Sequence, residues 1–303
     1  MQKKIGIAFM LLLAACAGGV GPIDAKKFLS EQPGPNVPSV QDSLTMSAKN
    51  AEKSGDYAGA VQLYKQAIDK DKDNNELWLA LADSYRRSGA TDNAISVYDQ
   101  LIAKDPKMIS AKEGKALALM AKGDYSSPVP LLTEVQQADP SRWKTLNAFG
   151  IILATQNQQN KAQDYFTAAL QYYPDSPTVL NNKGLSLALS GKYPEAISSL
   201  TRASELSKAG TTERKRIDLN TAMVYGAAGR LDDAKAVASN YLSGAELDNN
   251  MGLYAHLSKD DSMARSYLNM ALTESTVYYA KAWDNLQEIP SLSPSAGGSK
   301  RSQ

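Results

Sequence analysis

"NELWLALADSYRRSGATDNAISVYDQLIAKDP", residues 75–106, is the stretch on which the fold turns. Trp78, Leu81 and Tyr85 stand at i, i+3 and i+7, on one face of a helix. Tyr98 and Leu101 face them from a second helix. Ala82 and Ala94 are small where two helix backbones pass about 8–10 Å apart. Gly89 closes the first helix, because a left-handed residue costs glycine little. Pro106 stops the second, since proline brings no N–H and disfavours helix in the residue before it. The stretch reads as helix, tight turn, helix.

The same punctuation returns every 34 residues. Gly55, Gly89, Gly123, Asn157 and Gly191 keep that step, as do Ala60, Ala94, Pro128, Ala162 and Ala196, and Pro106, Pro140 and Pro174. Copies start near Gln41, Asn75, Ile109, Trp143 and Pro177, and "LNNKGLSLALSGKYPEAISSLTRASEL" from Leu180 is as clear as the first. The pattern resembles the tetratricopeptide repeat (TPR), a helix-turn-helix unit of 34 residues, over about four fifths of the chain. The expected fold class is all-α, a right-handed tetratricopeptide-repeat superhelical solenoid. Four extra residues around Thr211 to Arg214 precede a sixth copy near Lys215. A seventh, "NNMGLYAHLSKDDSMARSYLNMAL" from Asn249, is degenerate but keeps Gly252, Ala264, Leu268 and Ala271. "VYYAKAWDNL" from Val277 reads as a capping helix, with Lys281 and Asp284 supplying its wetter face. The third copy breaks the rule with Pro128 and Pro130. With Ser127 as N-cap, both fall in the first turn, where no intrahelical partner is lost. The expectation is a second helix that starts late; harmless drift is the other reading.

The first residues carry a different signal. Lys3 and Lys4 precede a short apolar run, Ile5 to Leu13, too short to span a bilayer. A basic start, a short apolar core and small residues describe a secretory signal. Leu13-Ala14-Ala15-Cys16 resembles the bacterial lipobox, in which the thiol is diacylglycerated, the chain is cut before the cysteine and the new amine is acylated. Cys16 is the only cysteine, so a disulfide framework is excluded. Several acyl chains, at roughly 0.8 kcal/mol per buried CH₂, give anchoring that hardly reverses. Ala17 stands where an Asp favours inner-membrane retention in lipoproteins, so the expected place is the outer membrane, facing the periplasm. The expected organisation is a signal over residues 1–15, lipidated Cys16 with a Gly/Pro-rich tether to residue 40, a solenoid of about seven repeats and a cap over 41–288, and a disordered tail over 289–303.

No catalytic set stands out, and the enzyme reading is disfavoured. Without Lys3 and Lys4 the chain keeps 31 basic against 32 acidic residues, and with one histidine nothing points to nucleic acid. His256 falls on the first helix of the weakest copy, beside Leu253 and Leu257, and reads as a partly buried structural residue. "DKDKDNNE" from Asp69 lacks the glycine and the closing glutamate of a calcium loop. No cofactor is expected beyond the covalent lipid on Cys16.

What remains is surface. The resemblance to tetratricopeptide repeats implies that the first helix of each copy lines a concave groove. One groove position gives Leu117, Ile151, Leu185, Met223 and Leu253; two adjoining positions give Asn147, Asn181, Asn182, Asn220, Asn249 and Asn250. Each amide offers a donor and an acceptor to a peptide backbone, and an apolar row takes alternate side chains. The candidate groove residues are therefore Asn147, Ile151, Asn181, Asn182, Leu185, Asn220, Met223, Asn249 and Asn250, and the implied partner is a protein or an extended peptide segment. A second reading stays open, in which the amides bond only to one another and the apolar row is core. Lys144 and Arg216 are thin evidence for capture of a C-terminal carboxylate.

"LNAFGIILATQNQQNKAQDYFTAALQYYPDSPTVLNNKGLSLALSGKYPEAISSL" from Leu146 and "RIDLNTAMVYGAAGRLDDAKAVASNYLSGAELDNNMGLYAHL" from Arg216 resemble the TadD family of tight-adherence (Flp) pilus assembly lipoproteins. The resemblance covers roughly residues 40 to 275. It implies help in assembling or localising the outer-membrane secretin of a type IV-class pilus machine, with the secretin or a partner lipoprotein in the groove. Two other lipoprotein roles remain, an accessory of the barrel-assembly machinery and a regulator of a cell-wall hydrolase.

Overall fold

The computed structural model describes residues 38–275 and 279–289. Cys16, most of the tether and all but the first residue of the expected tail lie outside the described residues. All regular structure among the described residues is helical, as expected, and no described helix is long and apolar enough to cross a membrane. The chain divides into two compact units, Met1–Leu81 and Ala82–Gln303.

The first unit holds α1 (Val40–Ser54), α2 (Tyr57–Ile68) and the start of α3 (Asn75–Arg87). α1 opens on a reciprocal capping box. The Ser39 hydroxyl accepts from the Asp42 N–H at 3.0 Å, and the Asp42 carboxylate accepts from the Ser39 N–H at 3.2 Å. Ala48 on α1 and Ala60, Val61, Tyr64 and Ala67 on α2 are buried. Trp78 departs from the sequence expectation. Leu77 and Leu81 are buried on α3, whereas Trp78 is only half-buried, and its indole N–H donates to the Lys72 carbonyl at 2.9 Å. The indole carries a polar edge, which here ties down the preceding turn.

The second unit continues with α4 (Thr91–Lys104), α5 (Ile109–Ala121), α6 (Pro128–Ala138), α7 (Trp143–Thr155), α8 (Gln159–Tyr172), α9 (Pro177–Leu189), α10 (Tyr193–Leu206), α11 (Thr212–Ala227), α12 (Leu231–Ala238), α13 (Gly244–Leu257), α14 (Asp261–Glu274) and α15 (Ala280–Glu288). Each hairpin touches the next, and consecutive first helices α5, α7, α9, α11, α13 and α15 contact one another in order. The core is therefore a chain of small clusters, each drawn from successive helices. One joins Leu146 of α7, Ala162 and Phe166 of α8 and Val179 of α9; the last joins Ala255 of α13, Leu268 of α14 and Leu286 of α15.

Small residues are needed where helices cross. A Cβ on Gly150 would stand 2.5 Å from Phe166 Cε1, and one on Gly252 would stand 2.6 Å from Leu268 Cγ. The left-handed turn position tolerates two exceptions, Asn157 at φ 59° and Lys259 at φ 67°. Asparagine visits this region more readily than lysine, so the strain sits at Lys259.

Two local expectations are refined. α6 does start late, at Pro128, but the Ser127 side chain caps nothing. Asp124 instead closes the turn before the helix, accepting from the N–H groups of Ser126 and Ser127 at 3.0 Å each. Hydrogen bonds from Ser127, then from the Ser126 N–H, hold its carboxyl below the ordinary range. The extra residues near Thr211 form no loop. They add a turn to α11, which has 16 residues where α9 has 13, so the sixth first helix begins at Thr212 and not near Lys215. Thr211 caps it by accepting from the Arg214 N–H at 3.2 Å, and Glu213 lies in the first turn, where the helix dipole favours negative charge.

Candidate functional site

The asparagines chosen from the sequence form a directional ladder across α7, α9 and α11. Asn220 donates to Asn181 at 2.8 Å, Asn181 donates to Asn182 at 3.2 Å, and Asn182 donates to Asn147 at 3.0 Å. Each of the three bonds sets an oxygen against an N–H, and flipping Asn181 or Asn182 would set oxygen against oxygen, so the orientations are mutually fixed. Asn181 and Asn147 are buried, at 2% and 7% exposure, while Asn182 and Asn220 are half-buried. The ladder leaves its ends different. The Asn147 amide nitrogen and the Asn220 oxygen are each unused by it, a donor at one end and an acceptor at the other.

A second amide pair lies farther along the chain. Asn285 on α15 donates to Asn249 on α13 at 2.8 Å, and no described hydrogen bond links Asn220 to Asn249 or Asn250. Asn250 donates instead to the Glu246 carbonyl of its own helix at 2.8 Å. Asn285 was not among the residues chosen from the sequence. It follows Asn249 by 36 residues, close to the 35 separating Asn182 from Asn147, and that step was the available signal. α15 thus repeats a first-helix feature, although Lys281 and Asp284 on it are exposed as a cap requires.

The apolar row is half core and half surface. Leu117 and Ile151 pack against the cluster of Leu132 and Ile152, Leu185 against that of Leu200, and Met223 against that of Met251. None of the four is fully buried. Leu253 lines a cavity of about 460 Å³ with Asn249, Asn250, Tyr279 and Asn285.

Two carboxylates near this face differ sharply. Asp218 on α11 accepts from Tyr241 Oη at 2.5 Å, from Arg214 Nε at 2.9 Å and from Ser204. Burial alone would raise its pKa, but the hydrogen bonds from Ser204, Tyr241 and Arg214 outweigh it and hold the carboxyl below the ordinary range. Asp248 on α13 is buried to 6% exposure, and no donor among the described residues reaches it. Burial first, then the charge of Glu274, push it above the ordinary range, against a smaller opposing effect of Lys235. His256 is exposed, not partly buried, with Nδ1 2.6 Å from Asp261 Oδ1; its place at the last turn of α13 puts the ring outside the apolar contacts of Tyr254 and Ala255. Among the described residues no group of side chains is arranged to hold a metal ion.

A tetratricopeptide-repeat family model matches residues 45–109 and 147–209. The TPR repeat-containing protein YpiA of Bacillus subtilis is 24% identical over 176 residues, 57% of this chain and 41% of that protein. The chain spans less than half the length of the curated relatives it matches. Among solved structures, the Cut9-Hcn1 complex of the APC/C aligns with a TM-score of 0.61 at 16% identity, over 80% of this chain and 48% of that one. A tetratricopeptide repeat protein from Parabacteroides merdae aligns with a TM-score of 0.52 at 17% identity, over 82% and 97%. At these identities the structural likeness concerns the fold.

Proposed function

We propose, on the premise that this is a chain of tetratricopeptide repeats, that it is a non-enzymatic scaffold whose first-helix face in the second unit grips an extended segment of another protein. Tetratricopeptide repeats serve protein–protein interaction in general. The observation that carries the reading is the amide ladder Asn220–Asn181–Asn182–Asn147 beside the half-exposed row Ile151, Leu185 and Met223. Buried Asn181 and Asn147 hold half-buried Asn182 and Asn220 in one orientation, and these two offer a preset donor and acceptor. An extended backbone meets that pair without the entropy cost of arranging it.

The role we assign is that of an outer-membrane lipoprotein, anchored through acyl chains on Cys16, that assists assembly or localisation of a tight-adherence pilus secretion machine. The secretin or a partner lipoprotein would occupy the groove, and the anchor would hold that partner at the membrane. The support is the lipobox-like Leu13-Ala14-Ala15-Cys16 and the resemblance of residues 146–200 and 216–257 to that lipoprotein family. Crosslinking mass spectrometry on intact cell envelopes, with a Cys16→Ser control and labelled palmitate, tests it. The expected result is palmitate on Cys16 and crosslinks from Lys144 or Lys183 to a secretin or lipoprotein, both lost in Cys16→Ser. Absence of label, or crosslinks confined to unrelated proteins, would overturn it.

A further inference from the structure

We draw no further inference here: the strongest candidate, the exposed apolar face of α14 that carries Met263 and Met270, is a surface patch for which nothing in the structure shows what covers it.

Discussion

The stretch α7–α11 and the stretch α13–α15 use the same hairpin and the same small residues, yet they treat polar groups in opposite ways. In the first, the amides close on one another and Asp218 is surrounded by donors. In the second, Asn249 makes one amide bond, with Asn285, Asp248 is buried with no donor among the described residues, and a cavity opens. Apolar packing is equally complete in both, with Phe166 and Leu268 each almost inaccessible. Packing makes the repeat; the two stretches part in how they pair their polar groups.

The largest expected effect tests the ladder. Asn181→Ala removes one donated and one accepted bond, each worth ~0.5–1.5 kcal/mol, and strands half-buried Asn220 and Asn182, costing about 2–4 kcal/mol in urea unfolding. Asn285→Ala removes a single bond at the end of the stack and strands the oxygen of buried Asn249, and should cost about 1–2 kcal/mol. Equal losses would erase the contrast between the two regions.

Glycine substitutions should show no such contrast. Gly150→Ala and Gly252→Ala each gain roughly 1 kcal/mol of helix propensity, but the new Cβ meets Phe166 or Leu268 well inside contact distance. Overpacking of about 1–3 kcal/mol outweighs that gain, so both variants should lose about 1–2 kcal/mol net. A stable Gly252→Ala beside a damaged Gly150→Ala would show that packing, too, loosens toward the end.

The two aspartates give opposite signs. Asp218 has a lowered pKa, so its contribution is present above the ordinary carboxylate range and fades only as pH falls through the lowered value. Asp218→Asn should therefore cost about 1 kcal/mol at neutral pH. Asp248 has a raised pKa, so its favourable contribution is present in acid and is lost as pH rises through the raised value. Asp248→Asn should melt higher than the wild type at neutral pH, and the gap should close on acidification before that of Asp218→Asn does. Calorimetric melts across that range check both signs.

The smallest effect concerns the turns. Lys259→Gly relieves a left-handed residue and should stabilise the end of the stack by up to about 1 kcal/mol in urea unfolding, more than Asn157→Gly does near the middle.

The period was plain from the sequence because its landmarks answer to backbone geometry. A turn that must be left-handed accepts glycine or asparagine, and a crossing that admits no Cβ accepts glycine or alanine. Starts near Asn75, Ile109, Trp143 and Pro177 coincide with those of α3, α5, α7 and α9. Details that depend on side-chain partners were not legible. Trp78 has the right spacing for the core, but its indole N–H found the Lys72 carbonyl. Thr211 reads equally well as loop or cap until the N–H of Arg214 is seen to point at it. The asparagine positions were legible, but the direction of their ladder was not, because periodicity records position and not orientation. Asn285 escaped because α15 was read only as a cap.

Affinity purification from native envelopes, using the full chain beside Asn182→Ala/Asn220→Ala, tests the central claim most directly. The account predicts one co-purifying protein that the double variant loses while its helical content and cooperative melt persist. Retention of every partner by a folded double variant would contradict it.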